Sequence, residues 1–286
     1  MEIYQLRYFV EVAREGNFTK ASERLRIAQP ALSQQVKNLE EELGARLFNR
    51  GRRRSSLTSA GETLLEHALL ILSAEAHARE SVQEVVGLKK GRLVLATIPS
   101  ISGYWLPDVV RRFRRRFPDV ELNLKENSSE EVIASVAAGD AEVGLVQAPI
   151  VDAQFDSGIL FEEGFELVVP TGHELEGGRL ISLKQLREIP FVHYKGRAKD
   201  VVVEACRRAG FEARVACESG EIQTVLALVG AGLGVAVLPE ISLGSLGRQV
   251  SRLKLKPLIR RKVLWITRKG SRSPAAEEFL ALCSNP

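Results

Sequence analysis

Ala31, Ser33, Gln34 and Lys37 follow closely on Gln29-Pro30, and Arg50, Arg52, Arg53 and Arg54 crowd around Gly51 further along the chain. A glutamine amide can bond an adenine edge through two hydrogen bonds. A serine hydroxyl suits a base or a phosphate, an alanine methyl can touch a thymine methyl, and a lysine reaches guanine or phosphate. The arginine run suits phosphates or the minor groove. Residues 1–60 hold eleven Lys and Arg against seven Asp and Glu, an excess equal to the net charge of +4, while the rest of the 286-residue chain is balanced. The basic footprint of a polyanion binder therefore belongs to the first segment. A solvated helical bundle with a basic loop is the competing reading of the charge run taken alone.

The elements around these residues decide between the two. Leu6, Phe9, Val10 and Ala13 recur at helical spacing until Gly16-Asn17, which predicts a helix over residues 3–15. A short second helix follows with Thr19 as its cap and Ala21 and Leu25 inward, and Arg26-Ile27-Ala28 supplies a tight connection. Pro30 suits a first helical turn, Leu32, Val36, Leu39 and Leu43 form a buried stripe, and Gly44 stops the helix. The polar set is left on the exposed side of the N-terminal end, the end that enters a major groove when a helix-turn-helix docks. Residues 45–58 predict a β-wing anchored by Leu47-Phe48 and Leu57, with the arginines at its tip.

Ser59-Ala60-Gly61-Glu62 has the form of a capping box that opens a long helix. Leu64, Ile71, Ala78 and Val85 repeat every seven residues up to Gly87, with Ala68, Glu75 and Val82 between them. That seam fits pairing with a second copy, with Glu75 interrupting it, or a helix folded back on its own chain.

From Gly91 onward short β-rich runs alternate with amphipathic helices, which predicts βαβ units and a mainly parallel sheet in two similar lobes. In such sheets ligands bind beyond the carboxyl ends of strands, where helix N-termini offer free N–H groups. Four loops qualify, at 97–102, 127–129, 194–199 and 219–223, and two facing lobes would bring them to one cleft. Lys195 and Arg197 beside it fit either an anionic ligand or a solvated surface.

The runs Leu6-Arg7-Tyr8-Phe9-Val10, Gly16-Asn17-Phe18-Thr19-Lys20-Ala21-Ser22, Gln29-Pro30-Ala31-Leu32-Ser33-Gln34-Gln35-Val36, Leu43-Gly44 and Leu57-Thr58-Ser59-Ala60-Gly61 together resemble the DNA-binding signature of LysR-type transcriptional regulators. The resemblance extends through Gly230-Ala231-Gly232-Leu233-Gly234-Val235-Ala236-Val237-Leu238-Pro239. It implies an all-α plus α/β chain: a winged helix-turn-helix over 1–58, a linker and dimerisation helix over 59–87, and a two-lobed effector-binding domain over 88–286 similar to type 2 periplasmic binding proteins. Lobe I would span about 91–161 and 267–286, and lobe II about 162–266. The implied partners are a double-stranded DNA operator, a small-molecule effector, RNA polymerase, and further copies in a homodimer or homotetramer. Family precedent places effector contacts on Ser100, Ser102, Asn127, Ser128, Glu221, Ile222, Gln223 and Thr224, and the positions of the loops add Thr97, Ile101, Lys195 and Arg197 as candidates. A plain helix cap is the alternative for each serine or asparagine.

Other signals carry less. Gly230, Gly232 and Gly234 follow a helix and precede a strand, the reverse of a dinucleotide loop. His67, His77, His173 and His193 are scattered without carboxylate or cysteine partners, and no nucleophile with a base is visible, so neither metal binding nor an enzyme is expected. The arginines around Phe113 fit a solvated helix face. Some LysR-type relatives sense peroxide through a cysteine pair, which makes Cys206 and Cys217 the alternative switch. The position resembling their reactive cysteine holds Arg197. With no apolar stretch long enough to cross a bilayer and no leader-like start, a cytoplasmic protein without cofactor is expected.

Overall fold

The computed structural model describes residues 1–49, 55–85, 91–150, 152–244 and 246–284. It divides into two compact units, Met1–Leu88 and Lys89–Pro286.

The first unit contains α1 (Ile3–Glu15), α2 (Phe18–Leu25), α3 (Gln29–Leu43), β1 (Phe48–Asn49), β2 (Ser56–Leu57) and α4 (Ser59–Val85). Leu6, Phe9 and Val10 of α1, Ala21 of α2, and Leu32, Val36 and Leu39 of α3 share one core. Leu43 does not join them: it is 42% exposed, because α3 runs past the edge of the core before Gly44 ends it at φ +65°. The cap of α2 is Asn17 rather than Thr19, its side chain accepting from Thr19 N at 2.8 Å and Lys20 N at 3.1 Å. Arg26 turns the chain towards α3 in the left-handed region, at φ +56°.

Two features attach α4 to this core. Ala68 is fully buried, and Leu64, Leu65, Leu69, Ile71 and Leu72 pack around it, so the first half of α4 is folded back on its own unit. The repeat expected of a pairing seam thus serves the chain's own core at Leu64 and Ile71, while Leu70 and Val82 are exposed. Glu75 accepts from Arg7 at 2.7 Å and from Arg79 at 2.6 Å, and those bonds hold its carboxyl below the usual range. The cap also shifts by one residue from Ser59, since Thr58 Oγ1 accepts from Gly61 N at 3.1 Å. Gly61 itself is required, because a Cβ there would lie 2.2 Å from the Leu47 carbonyl oxygen.

The second unit runs β3 (Arg92–Thr97), α5 (Pro99–Ser102), α6 (Leu106–Arg116), β4 (Glu121–Glu126), α7 (Ser129–Ala137), β5 (Val143–Gln147), β6 (Phe155–Pro170), β7 (Ile181–Ser182), β8 (Phe191–Tyr194), α8 (Arg197–Arg208), β9 (Val215–Ser219), α9 (Ile222–Gly230), β10 (Ala236–Pro239), β11 (Val250–Lys256), β12 (Arg260–Arg268) and α10 (Pro274–Ser284). Strands order as β4-β3-β5-β12-β6-β11-β7, with β10 also on β6 and a separate β8-β9 pair. The sheet is mixed rather than mainly parallel: β3, β4 and β5 are parallel, whereas β12 is antiparallel to β5 and β6, and β6 to β10 and β11. Antiparallel pairing is what two long strands crossing between lobes in opposite directions must produce. β6 passes from Phe155, packed with Val132 and Val146, to Phe165–Val169, packed with Val225 and Leu238. β12 follows Ile259 of the second lobe's core and returns to the first lobe through Val263 and Ile266. Leu160 is the extra residue of a bulge where the two cross, since Val263 pairs with Phe161 and Leu264 with Ile159.

Candidate functional site

Gln29, Pro30, Ala31, Gln34 and Lys37 are exposed on α3 and Ser33 is half-buried, so the face opposite the core stripe is the polar one. Gln29 Nε2 donates to Ser33 Oγ at 2.8 Å and Gln34 Nε2 to Asn38 Oδ1 at 2.8 Å, which aligns their amides along the helix. A groove of about 480 Å³ lies beside this face, lined by Pro30, Ser33, Gln34 and Lys37 on one side and by Asn49 and Ser55 of the wing on the other. Glu40 fixes that spacing: its Oε1 accepts from Leu47 N at 2.7 Å and Phe48 N at 3.2 Å. Phe48 then packs on Phe9 and Phe18 at 5.4 and 5.5 Å between ring centres. The wing-tip residues Arg50, Arg52, Arg53 and Arg54 lie outside the described residues. This is the arrangement of a winged helix-turn-helix, with a second helix set to enter a groove and a hairpin beside it.

In the second unit three of the four expected loops, at 97–102, 127–129 and 194–199, contribute to one cleft, and the 219–223 loop is not among its lining residues. Ser100, Asn127, Ser128, Lys195 and Arg197 line one cleft, together with Gln147, Tyr194 and Arg261. Its volume is about 40 Å³, room for a few waters and well under the ~300 Å³ at which ligand pockets usually begin. Arg197, the first residue of α8, crosses the cleft. Its Nη1 donates to the carbonyls of Gln147 and Pro149, both at 2.6 Å, and its Nε donates to Glu130 of α7 at 2.8 Å. That bond holds the Glu130 carboxyl below its usual range. A second tie joins Gln223 Nε2 of α9 to the Tyr104 hydroxyl at 2.9 Å.

The floor of the cleft is a buried cation that the sequence reading passed over. Arg261 Nε and Nη2 both reach Glu163 Oε1, at 2.8 and 2.7 Å, with side-chain exposures of 1% and 8%. Its Nη1 reaches Gln147 Oε1 at 3.3 Å and its Nη2 reaches Ser100 Oγ at 3.1 Å. Ser100 is also bonded to Tyr194, whose hydroxyl burial pushes upward in pKa. The signal for Arg261 was present: two-residue alternation puts it on the face of Ile259 and Val263, both buried.

The remaining candidates are dispersed. Thr97 is buried, its hydroxyl on the Ile98 carbonyl, and Ser102 bonds Pro99 O at 3.1 Å. Ile101 and Ile222 belong to the hydrophobic cores of the two lobes. Glu221 and Thr224 are exposed at the start of α9. Ser128 caps α7 in a capping box with Glu131, so its hydroxyl is committed as well as cleft-facing. Cys206 is buried and its thiol is pushed up to about 11, which keeps it protonated and a slow nucleophile at neutral pH. Among the described residues no helix is long and apolar enough to cross a membrane.

Comparison with known proteins agrees with both halves. Residues 3–62 match the family described as "Bacterial regulatory helix-turn-helix protein, lysR family", and residues 87–285 match "LysR substrate binding domain". The chain is 31% identical to the HTH-type transcriptional regulator AlsR of Bacillus subtilis (strain 168), over 98% of this chain and 94% of that one. It is also 31% identical to the Hca operon transcriptional activator HcaR of Escherichia coli (strain K12), over 99% and 97%. Among solved structures, a point variant of full-length OxyR from Pseudomonas aeruginosa superposes with a TM-score of 0.79 at 27% identity, covering 99% of this chain and 94% of that chain. Full-length CbnR in complex with its target DNA gives 0.61 at 25% identity, covering 99% and 98%. With a polar, exposed face on α3 and a polar cleft at the strand ends of the second unit, the chain belongs to the LysR family of transcriptional regulators, carrying a DNA-binding helix-turn-helix and an effector-binding domain.

Proposed function

We propose that residues 1–58 read a double-stranded operator, with Gln34, Ser33, Ala31 and Lys37 on base edges and Gln29, Pro30 and the wing arginines Arg50, Arg52, Arg53 and Arg54 on the backbone. Residues 59–87 carry the helix through which copies pair, and residues 88–286 bind a small effector between lobe I (about 91–161 and 267–286) and lobe II (about 162–266). The observation that carries this reading is the polar, outward face of α3 beside the wing groove. A second copy is required for a two-fold operator, as paired half-sites are the usual geometry for such helices. Dimer or tetramer, contact with RNA polymerase and a cytoplasmic location follow from the same role.

Effector binding acts by favouring one arrangement of lobes and subunits over another, which only differential affinity can achieve. A salt titration of full-length protein on operator DNA tests the DNA half. Each phosphate neutralised should contribute a slope of about −0.9 in log K against log salt. Binding that ignores both salt and sequence would refute the reading.

A further inference from the structure

Resting on the reading of the interlobe cleft as the effector site, we propose that Arg197 is its recognition group for a carboxylate, and that the Glu130 side chain is a tethered stand-in occupying the effector's seat. The Arg197 guanidinium has two working edges. Nη1 is anchored to lobe I by the Gln147 and Pro149 carbonyls at 2.6 Å each, which fixes the plane of the group. The Nε side is held by Glu130 at 2.8 Å. The two partners differ in permanence. Backbone carbonyls cannot leave, whereas Glu130 is a flexible side chain 63% exposed on the first turn of α7, facing an arginine only 20% exposed.

An ion pair with one partner so solvated is weakly held, so a free anion can compete for the same edge. The N–H donors along that edge of a guanidinium take two oxygens of a carboxylate or of a phosphate; what favours the planar carboxylate is that the edge is already filled by one, from Glu130. Glu130 lies at the mouth of the cleft rather than in its lining, and when it swings out to solvent the Nε edge of Arg197, which does line the cleft, is left open to a carboxylate. Ser100 and Arg261 below, and Lys195 and Ser128 at the rim, are the cleft's other polar groups for the rest of the molecule.

Removing the stand-in makes the test independent of the effector's identity. Full-length Glu130→Ala protein should bind acetate, with sodium chloride matched for ionic strength. A concentration well above the dissociation constant should raise its melting temperature by about 2–4 °C, and the wild type by less. Acetamide and inorganic phosphate should give no rise, and acetate should protect amides of residues 127–130 and 194–199 from hydrogen exchange. The response should vanish in Arg197→Gln and in Glu130→Ala/Arg197→Gln, and fall by about threefold in affinity in Arg197→Lys, which keeps the charge but loses the fork. The proposal is overturned by an acetate response in Glu130→Ala no larger than in wild type, by an equal response to phosphate, or by an unchanged response in Arg197→Gln. Protection at 127–130 and 194–199 that persists in Arg197→Gln overturns only the assignment of Arg197. Acetate-dependent DNA footprints of the Glu130→Ala protein with no protection at those segments overturn the cleft reading itself.

Discussion

Replacing Arg261 by methionine removes a cation that is 1% exposed, leaves the Glu163 carboxylate, 8% exposed, without a counter-charge, and takes the guanidinium donor from Ser100 and Gln147. Glu163 keeps one bond, Oε2 accepting from Ile241 N at 2.7 Å, so it is not free to swing out to water. Breaking one side of a buried, hydrogen-bonded ion pair typically costs about 3–5 kcal/mol. In a unit of this size each kcal/mol lowers the melting temperature by about 2–4 °C, so Arg261→Met should melt about 10 °C early. Neutralising the partner as well should restore much of the loss. Glu163→Gln combined with Arg261→Met should lie at least about 2 kcal/mol above the sum of the single effects. The assay is urea denaturation followed by tryptophan fluorescence. Both tryptophans, Trp105 and Trp265, sit in the second unit, so the signal reports on it without interference from the DNA-binding unit. Strict additivity, or a single-variant cost below about 1 kcal/mol, would refute the claim that the hinge strands and the cleft floor are held by this pair.

Other outcomes follow from the same geometry. Thr58→Ala should destabilise the DNA-binding unit by about 1 kcal/mol, and Ser59→Ala by a few tenths at most, since Thr58 holds the cap; amide exchange at the start of α4 separates them. Ile71→Glu should weaken DNA binding and lower the stability of the DNA-binding unit by loosening the core around Ala68, whereas Val82→Glu, exposed, should leave that stability unchanged while lowering the oligomeric state seen by sedimentation and, with it, operator affinity. His193 is buried and its pKa lies below the ordinary 6.5. Its contribution to stability is therefore full above 6.5 and is lost as pH falls towards the folded value, so His193→Gln should flatten the stability profile over that window in urea titrations. Peroxide should leave DNA binding equal in wild type and Cys206→Ser, given a thiol raised to about 11.

The helix-turn-helix was readable because local signals agree there: the stripe of Leu32, Val36 and Leu39, the turn at Arg26 and the stop at Gly44 each follow from short-range rules. Cap identity was less readable, since Asn17 and Thr58 compete with the neighbouring Thr19 and Ser59 for the same role, and only backbone geometry decides. The seven-residue repeat of α4 left two partners open at Leu64 and Ile71, because a repeat does not say whether it meets another copy or the helix's own domain, and both residues pack in part against their own domain. In the second unit the βα loops were placed from strand ends alone. What escaped was long-range: β6 over Phe155–Pro170 and β11 over Val250–Lys256 gain their identity from pairing with strands distant in sequence. Arg261 sits in a run, Arg260-Arg261-Lys262, that looks solvated until the strand register turns one member inward.

The measurement that bears most directly on the reading role of α3 is selection of preferred duplexes from a random pool by the full-length protein, compared with its Gln34→Ala variant. Wild type should enrich one two-fold symmetric motif, and Gln34→Ala should relax the preference at a matched base pair in each half-site, by about 1–3 kcal/mol per contact, while other positions stay as they were. A wild-type pool with no enriched sequence, or an identical motif from both proteins, would contradict it.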